Sequence, residues 1–148
     1  MKDELGSMKD EKIKNKEQRV KSKGELMTDE KVQDLRVRTK DFALRMIRLY
    51  TSLPKSTEAQ VLGKQVLRSG TSVGAHYREA QRAKSNADFI SKMEGALQEL
   101  DETGYWLELL AESGIALPEK LETLRKETDE LTAIFVTIVT KVKKRIKG

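Results

Sequence analysis

One histidine is present, and it stands in His76-Tyr77-Arg78-Glu79, three residues before a carboxylate. On a helix that spacing puts both groups on one face, as a metal-ligand pair would be. A dinuclear centre in a helical bundle needs Glu-x-x-His on two helices, with further carboxylates. Here the order is reversed and no second histidine exists, so His76 reads as a packing or hydrogen-bonding residue at a helix surface. No serine has a nearby His/Asp partnership, and no glycine-rich loop runs into Gly-Lys-Ser or Gly-Lys-Thr. Gly70-Thr71-Ser72-Val73-Gly74 is too short and too embedded in helical pattern to cradle a phosphate. Cysteine is absent, which excludes disulfides and thiolate metal sites. No enzyme, metal or cofactor is expected.

What remains is charge. Arg68, Arg78, Arg82 and Lys84 form one basic group, and the tail Lys141-Val142-Lys143-Lys144-Arg145-Ile146-Lys147 forms another. Cations at a helix C-terminus are favoured by a few tenths of a kcal/mol each, about the low end of the dipole effect. Five in seven residues is more than capping requires. Arg68, Arg78, Arg82, Lys84, Lys143, Lys144 and Arg145 are therefore the candidate contacts to RNA or DNA phosphates. Such contacts select weakly for sequence and weaken steeply with salt. A solvated basic end is the competing reading. From Glu58 to Lys84 five basic residues face two acidic ones, whereas from Asn86 to Gly114 Lys92 stands alone against seven acids. That separation either pairs helices within one subunit or sets a basic face of one subunit against an acidic face of the next. The second arrangement closes into a ring where the rotation permits.

The elements that hold these residues are helices. The chain has 148 residues, 36% charged and 37% hydrophobic, with only two prolines, which suits a single domain of long amphipathic helices. Val32, Leu35, Phe42, Met46, Leu49 and Leu53 recur at three- and four-residue steps, with Thr39 in the missing place, and predict a helix from Asp29 to Leu53. Thr28 is its expected N-cap and Pro54 its stop. Ser56 is expected to cap a second helix reaching about Ala83, with Ala59, Leu62, Val66, Val73 and Ala80 as its stripe. Ser85 and Asp88 suggest a capping box for a third, whose stripe is Phe89, Met93, Ala96, Leu100, Leu107 and Leu110, ending at Gly114. Pro118 opens the fourth, which carries Leu121, Leu124, Leu131, Phe135, Ile138 and Val142. Short connections between long helices imply an antiparallel up-down-up-down four-helix bundle, all-α, over residues 28–148. Residues 1–27, lysine-rich and without apolar periodicity, are expected to form a disordered arm.

Gly63, Gly70 and Gly74 share one face of the second helix. Each is about 1 kcal/mol worse than alanine in a helix interior, so close approach of another helix is the expected compensation. A kink is the alternative. Tyr105 and Trp106 point about 100° apart on a helix. One of them is expected to seal a subunit interface, against the alternative that both lie over their own bundle's edge. Gly70, Gly74, Tyr105 and Trp106 are the candidate interface residues. Leu131 to Val139 is the longest hydrophobic-looking run, far short of the roughly 20 residues of a membrane span. The amino terminus has no signal-type apolar core. A cytoplasmic protein with no membrane partner is expected.

Asp41-Phe42-Ala43, Leu53-Pro54, Gln65-Val66-Leu67-Arg68-Ser69, Ser72-Val73-Gly74-Ala75, Arg78-Glu79-Ala80 and Leu97-Gln98-Glu99-Leu100-Asp101-Glu102-Thr103 together form a signature. It resembles that of the small bundle proteins encoded in intervening sequences of bacterial large-subunit rRNA genes. The resemblance covers roughly Val32 to Val142. It implies a bundle that assembles with itself into a ring, commonly a homopentamer, together with a nucleic-acid role and no catalytic residue. Family members often have Asn-Ile-Ala-Glu-Gly where this chain has Ala75-His76-Tyr77-Arg78-Glu79-Ala80. A similar design in the accessory variability determinants of diversity-generating retroelements gives the alternative, a scaffold that docks a reverse transcriptase.

Overall fold

The computed structural model describes residues 27–147, which form four helices: α1 (Asp29–Ser52), α2 (Thr57–Gln81), α3 (Asn86–Glu112) and α4 (Pro118–Lys147). Among the described residues there is no strand. The expected arm lies outside the described residues except for Met27, which is buried against the core.

Three of the four starts are fixed by a side-chain oxygen. The side chains of Thr28, Ser56 and Ser85 accept the backbone N–H of Lys31, Ala59 and Asp88 respectively. The Asp88 carboxylate reaches back to the N–H of Lys84 at 3.1 Å, so two donors at the start of α3 are satisfied by neighbouring residues. Gly114 takes φ +76°, the left-handed conformation that ends α3 without a Cβ clash. Proline, whose missing N–H matters least in a first turn, opens α4.

The contacts set the helix directions. Tyr77 reaches Val32, Gly74 faces Thr39, Gly70 faces Met46 and Gln60 binds Tyr50, so α1 and α2 run antiparallel. Glu79–Lys92 and Arg68–Glu102 do the same for α2 and α3. Glu94–Lys143 and Gly104 beside Thr128 do so for α3 and α4. Arg38–Glu127 and Arg45–Thr123 cross between α1 and α4. The core between the helices holds Phe42, Met46, Val66, Tyr77, Met93, Leu100, Leu107, Leu131 and Phe135, each without exposed surface. Tyr77 and Phe135 bring their rings to 5.7 Å, an aromatic contact across the bundle.

The helix that the α2 glycines admit is α1 of the same chain. A Cβ at Gly63 would come to 2.7 Å from Leu53 Cδ1, and one at Gly70 would collide with the Met46 side chain. A Cβ at Gly74 would stand 3.3 Å from Thr39 Oγ1. Gly70 and Gly74 are buried, which corrects the expectation that they lie between subunits: close helix approach is needed, but inside one bundle. Thr39 and Thr103 fill their stripe positions by hydrogen-bonding inward. The Thr39 hydroxyl donates to the Leu35 carbonyl at 2.7 Å, and that of Thr103 lies 2.8 Å from both Ser69 Oγ and the Glu99 carbonyl.

α1 and α4 make the loosest adjacent pair. Two clefts open along their seam, about 390 Å³ beside Leu49, Leu53, Ile115 and Leu124, and about 310 Å³ beside Met27, Leu35, Ile134 and Ile138.

Candidate nucleic-acid interface

The antiparallel order carries the C-terminal ends of α2 and α4 to the same end of the bundle. Arg82 is the C-cap of α2, and Lys84 follows in the turn to α3; both are exposed. Arg78 sits one turn earlier, half-buried. Lys144 and Arg145 occupy the last turn of α4 with Lys147, all exposed. Two groups some 60 residues apart in sequence are therefore assembled at one end. Several acids of that end are engaged elsewhere: Asp88 caps the start of α3, Glu79 binds Lys92 at 3.2 Å and Glu94 binds Lys143 at 2.9 Å. The opposite end is acidic where α3 meets α4, with Glu108, Glu112, Glu119 and Glu122.

Arg68 is not brought to this cluster. Fourteen residues before Arg82, it stands about 21 Å away along the helix. Its guanidinium binds Glu99 at 3.2 Å and Glu102 at 2.5 Å. Glu99 is nearly buried, with 11% of its side chain exposed. At this point the separated charges of α2 and α3 pair within one subunit. Lys143 has likewise a carboxylate of its own subunit. At the basic end stand Arg78, Arg82, Lys84, Lys144 and Arg145, with Lys143 held by Glu94.

The remaining candidates fall elsewhere. Tyr105 is 54% exposed on the acidic outer face of α3. Trp106, 5.1 Å from it between ring centroids, packs against the core, and its indole N–H is buried without a partner in the structure. The His76 ring lies against Gly95, where a Cβ would approach within 3.1 Å, and its Nδ1 is 3.9 Å from Glu79 Oε1. Among the described residues no three His, Asp or Glu side chains gather as a metal site would require. No described helix is long and apolar enough to cross a membrane.

Two features have no counterpart in the sequence reading. Arg45, Arg48 and Lys120 stand around the larger cleft, whose lining includes no carboxylate. Arg45 and Arg48 come from α1 and Lys120 from α4, so no spacing in the chain announces the group. Tyr77 is completely buried and donates its hydroxyl to the Val32 carbonyl at 3.2 Å. Burial pushes that hydroxyl well above the usual tyrosine range. Its signal was present, since Tyr77 falls four residues after Val73 and three before Ala80 on the α2 stripe.

A crystal structure of a protein of unknown function from the S23 ribosomal protein family of Bacteroides thetaiotaomicron shares 38% identity with this chain. The match covers 74% of this chain and 97% of that one, with a TM-score of 0.69. No curated protein matches. The family model described as 23S rRNA-intervening sequence protein matches residues 33–137, from the first turns of α1 to two thirds of the way along α4. With the four helices in the order that its sequence signature implies, this chain belongs to the 23S rRNA-intervening sequence protein family.

Proposed function

We propose that this protein is a non-enzymatic, self-assembling bundle that binds RNA or DNA through phosphate contacts at its basic end. The convergence of Arg78, Arg82 and Lys84 with Lys144, Arg145 and Lys147 at one end carries the reading. Each contact releases condensed counterions, so affinity comes from charge and not from base identity. Filter binding or fluorescence anisotropy against RNA at low salt tests it. Four phosphate contacts predict a slope of log affinity against log salt of about −3.6 on a duplex, or roughly 150-fold weaker binding between 50 and 200 mM. No measurable affinity for RNA or DNA at low salt would sink it.

Charge also supports self-association, for which a homopentameric ring is the form implied by the resemblance. Tyr105 stands exposed among Asp101, Glu102 and Glu108 on α3. On the far side of the bundle lies the apolar cleft with Arg45, Arg48 and Lys120. An aromatic anchor within carboxylates and an apolar hollow within cations are complementary, and one copy can offer the first to the second on its neighbour.

A further inference from the structure

We infer that the basic end takes double-stranded nucleic acid in preference to single strands; this rests on the phosphate-binding reading above. Proteins that hold single strands combine a cationic groove with exposed aromatic rings on which bases stack. The chain has seven aromatic residues, all within the described part. Phe42, Tyr77, Phe89 and Phe135 are buried in the core. Tyr50 is at the opposite end, its hydroxyl bound to Gln60 at 2.9 Å. Trp106 packs on the core, and Tyr105 stands among the carboxylates of α3. No Phe, Tyr or Trp ring is available to a base beside Arg82, Lys84 or Lys144, and the His76 ring is packed against Gly95. A single strand would therefore meet charge alone, and would lose its own flexibility on binding.

A duplex meets that charge better. α2 and α4 are diagonal in the bundle, each adjacent to α3. Neighbouring axes 8–10 Å apart put diagonal axes about 11–14 Å apart. Phosphates that face each other across the major groove of B-form DNA, about 12 Å wide, present a similar, rigid spacing. Arg82 and Lys84 would engage one backbone and Lys144 and Lys147 the other. Each neutralised phosphate also contributes more on a duplex, with a slope of about 0.9 against 0.7 for single strands.

The test compares a DNA hairpin with an unstructured oligothymidine of equal phosphate number, bound to the full chain over a salt series. With four contacts the hairpin should bind about tenfold tighter at 50 mM salt, with a slope steeper by about 0.8. Arg82→Glu and Lys144→Glu should each weaken the hairpin, with circular dichroism confirming that both variants remain helical. Equal or tighter binding of oligothymidine overturns the duplex preference and leaves the phosphate-binding reading standing. Binding of neither probe overturns both. A hairpin that loses affinity with only one of the two variants overturns the arrangement across two backbones.

Discussion

Arg68 Nη1 lies 3.2 Å from Glu99 Oε2, and through that contact an α2 cation is bound to a nearly buried α3 acid of the same subunit. A guanidinium held in this way is withdrawn from phosphate binding. Arg68→Ala should therefore lower stability by about 1 kcal/mol, the upper end for a pair this exposed, and leave RNA affinity almost unchanged. Arg82→Ala and Lys144→Ala should do the reverse, each reducing the salt slope by about 1 with little effect on the urea midpoint. Parallel denaturation and anisotropy titrations of the three variants separate the two roles. A loss of RNA affinity in Arg68→Ala equal to that in Arg82→Ala would return Arg68 to the interface.

Two glycine substitutions should move stability in opposite directions. Alanine at Gly70 gains about 1 kcal/mol in helix propensity, but its Cβ would enter the space of the Met46 side chain. Overpacking of a core contact costs about 1–3 kcal/mol, so a net loss is expected. Gly104 has only Thr128 Cγ2 nearby, 3.8 Å from an added Cβ. There the propensity gain is unopposed, and Gly104→Ala should stabilise by up to about 1 kcal/mol. Thermal or urea melts of the two variants read the difference directly.

Alkali should expose the burial of Tyr77. Its hydroxyl ionises less readily in the fold than in the unfolded chain, because burial disfavours the phenolate. The folded state therefore keeps a proton that the unfolded state gives up above about pH 10. That contribution is complete below pH 10 and is lost as pH rises toward the folded value, by about 1.4 kcal/mol per unit. Tyr77→Phe should lose about 1 kcal/mol at neutral pH with the bond to the Val32 carbonyl. It should fall less than the parent protein between pH 10 and 11. Urea midpoints of both proteins across that range decide it; equal slopes would show that Tyr77 is not the group responsible.

How much of this could be read from the chain divides along a physical line. Periodicity and caps are local, so the helix starts at Asp29, Thr57, Asn86 and Pro118 follow from Thr28, Ser56, Ser85 and Pro118 themselves. Pairings between helices are not local. Whether Arg68 meets a phosphate or Glu99 depends on the register of α2 against α3, which side-chain periodicity does not encode. The glycines illustrate both sides. Their shared face announced a close neighbour, while the identity of that neighbour, α1 of the same chain, came only with the packing of Met46 and Thr39. The cleft between α1 and α4 was invisible for the same reason, since Arg48 and Lys120 are joined only by the fold.

The proposed contact between copies makes a charge-exchange prediction. If Tyr105 and its flanking carboxylates enter the cleft of a neighbour, Glu108 of one copy comes near the Lys120 region of the next. Glu108→Lys and Lys120→Glu should each weaken association, because each places like charges across the contact. Both groups are exposed on the isolated subunit, so neither change should disturb the fold. In a head-to-tail assembly every subunit carries both surfaces, so a chain with both substitutions restores opposite charges at every contact. Analytical ultracentrifugation should therefore find smaller species for each single variant at micromolar concentration, and recovery of the parent's size for the double variant. Tyr105→Ala should also dissociate the assembly, without rescue by either charge change, because it removes the aromatic anchor. Single variants that sediment with the parent protein would mean that copies meet through another face.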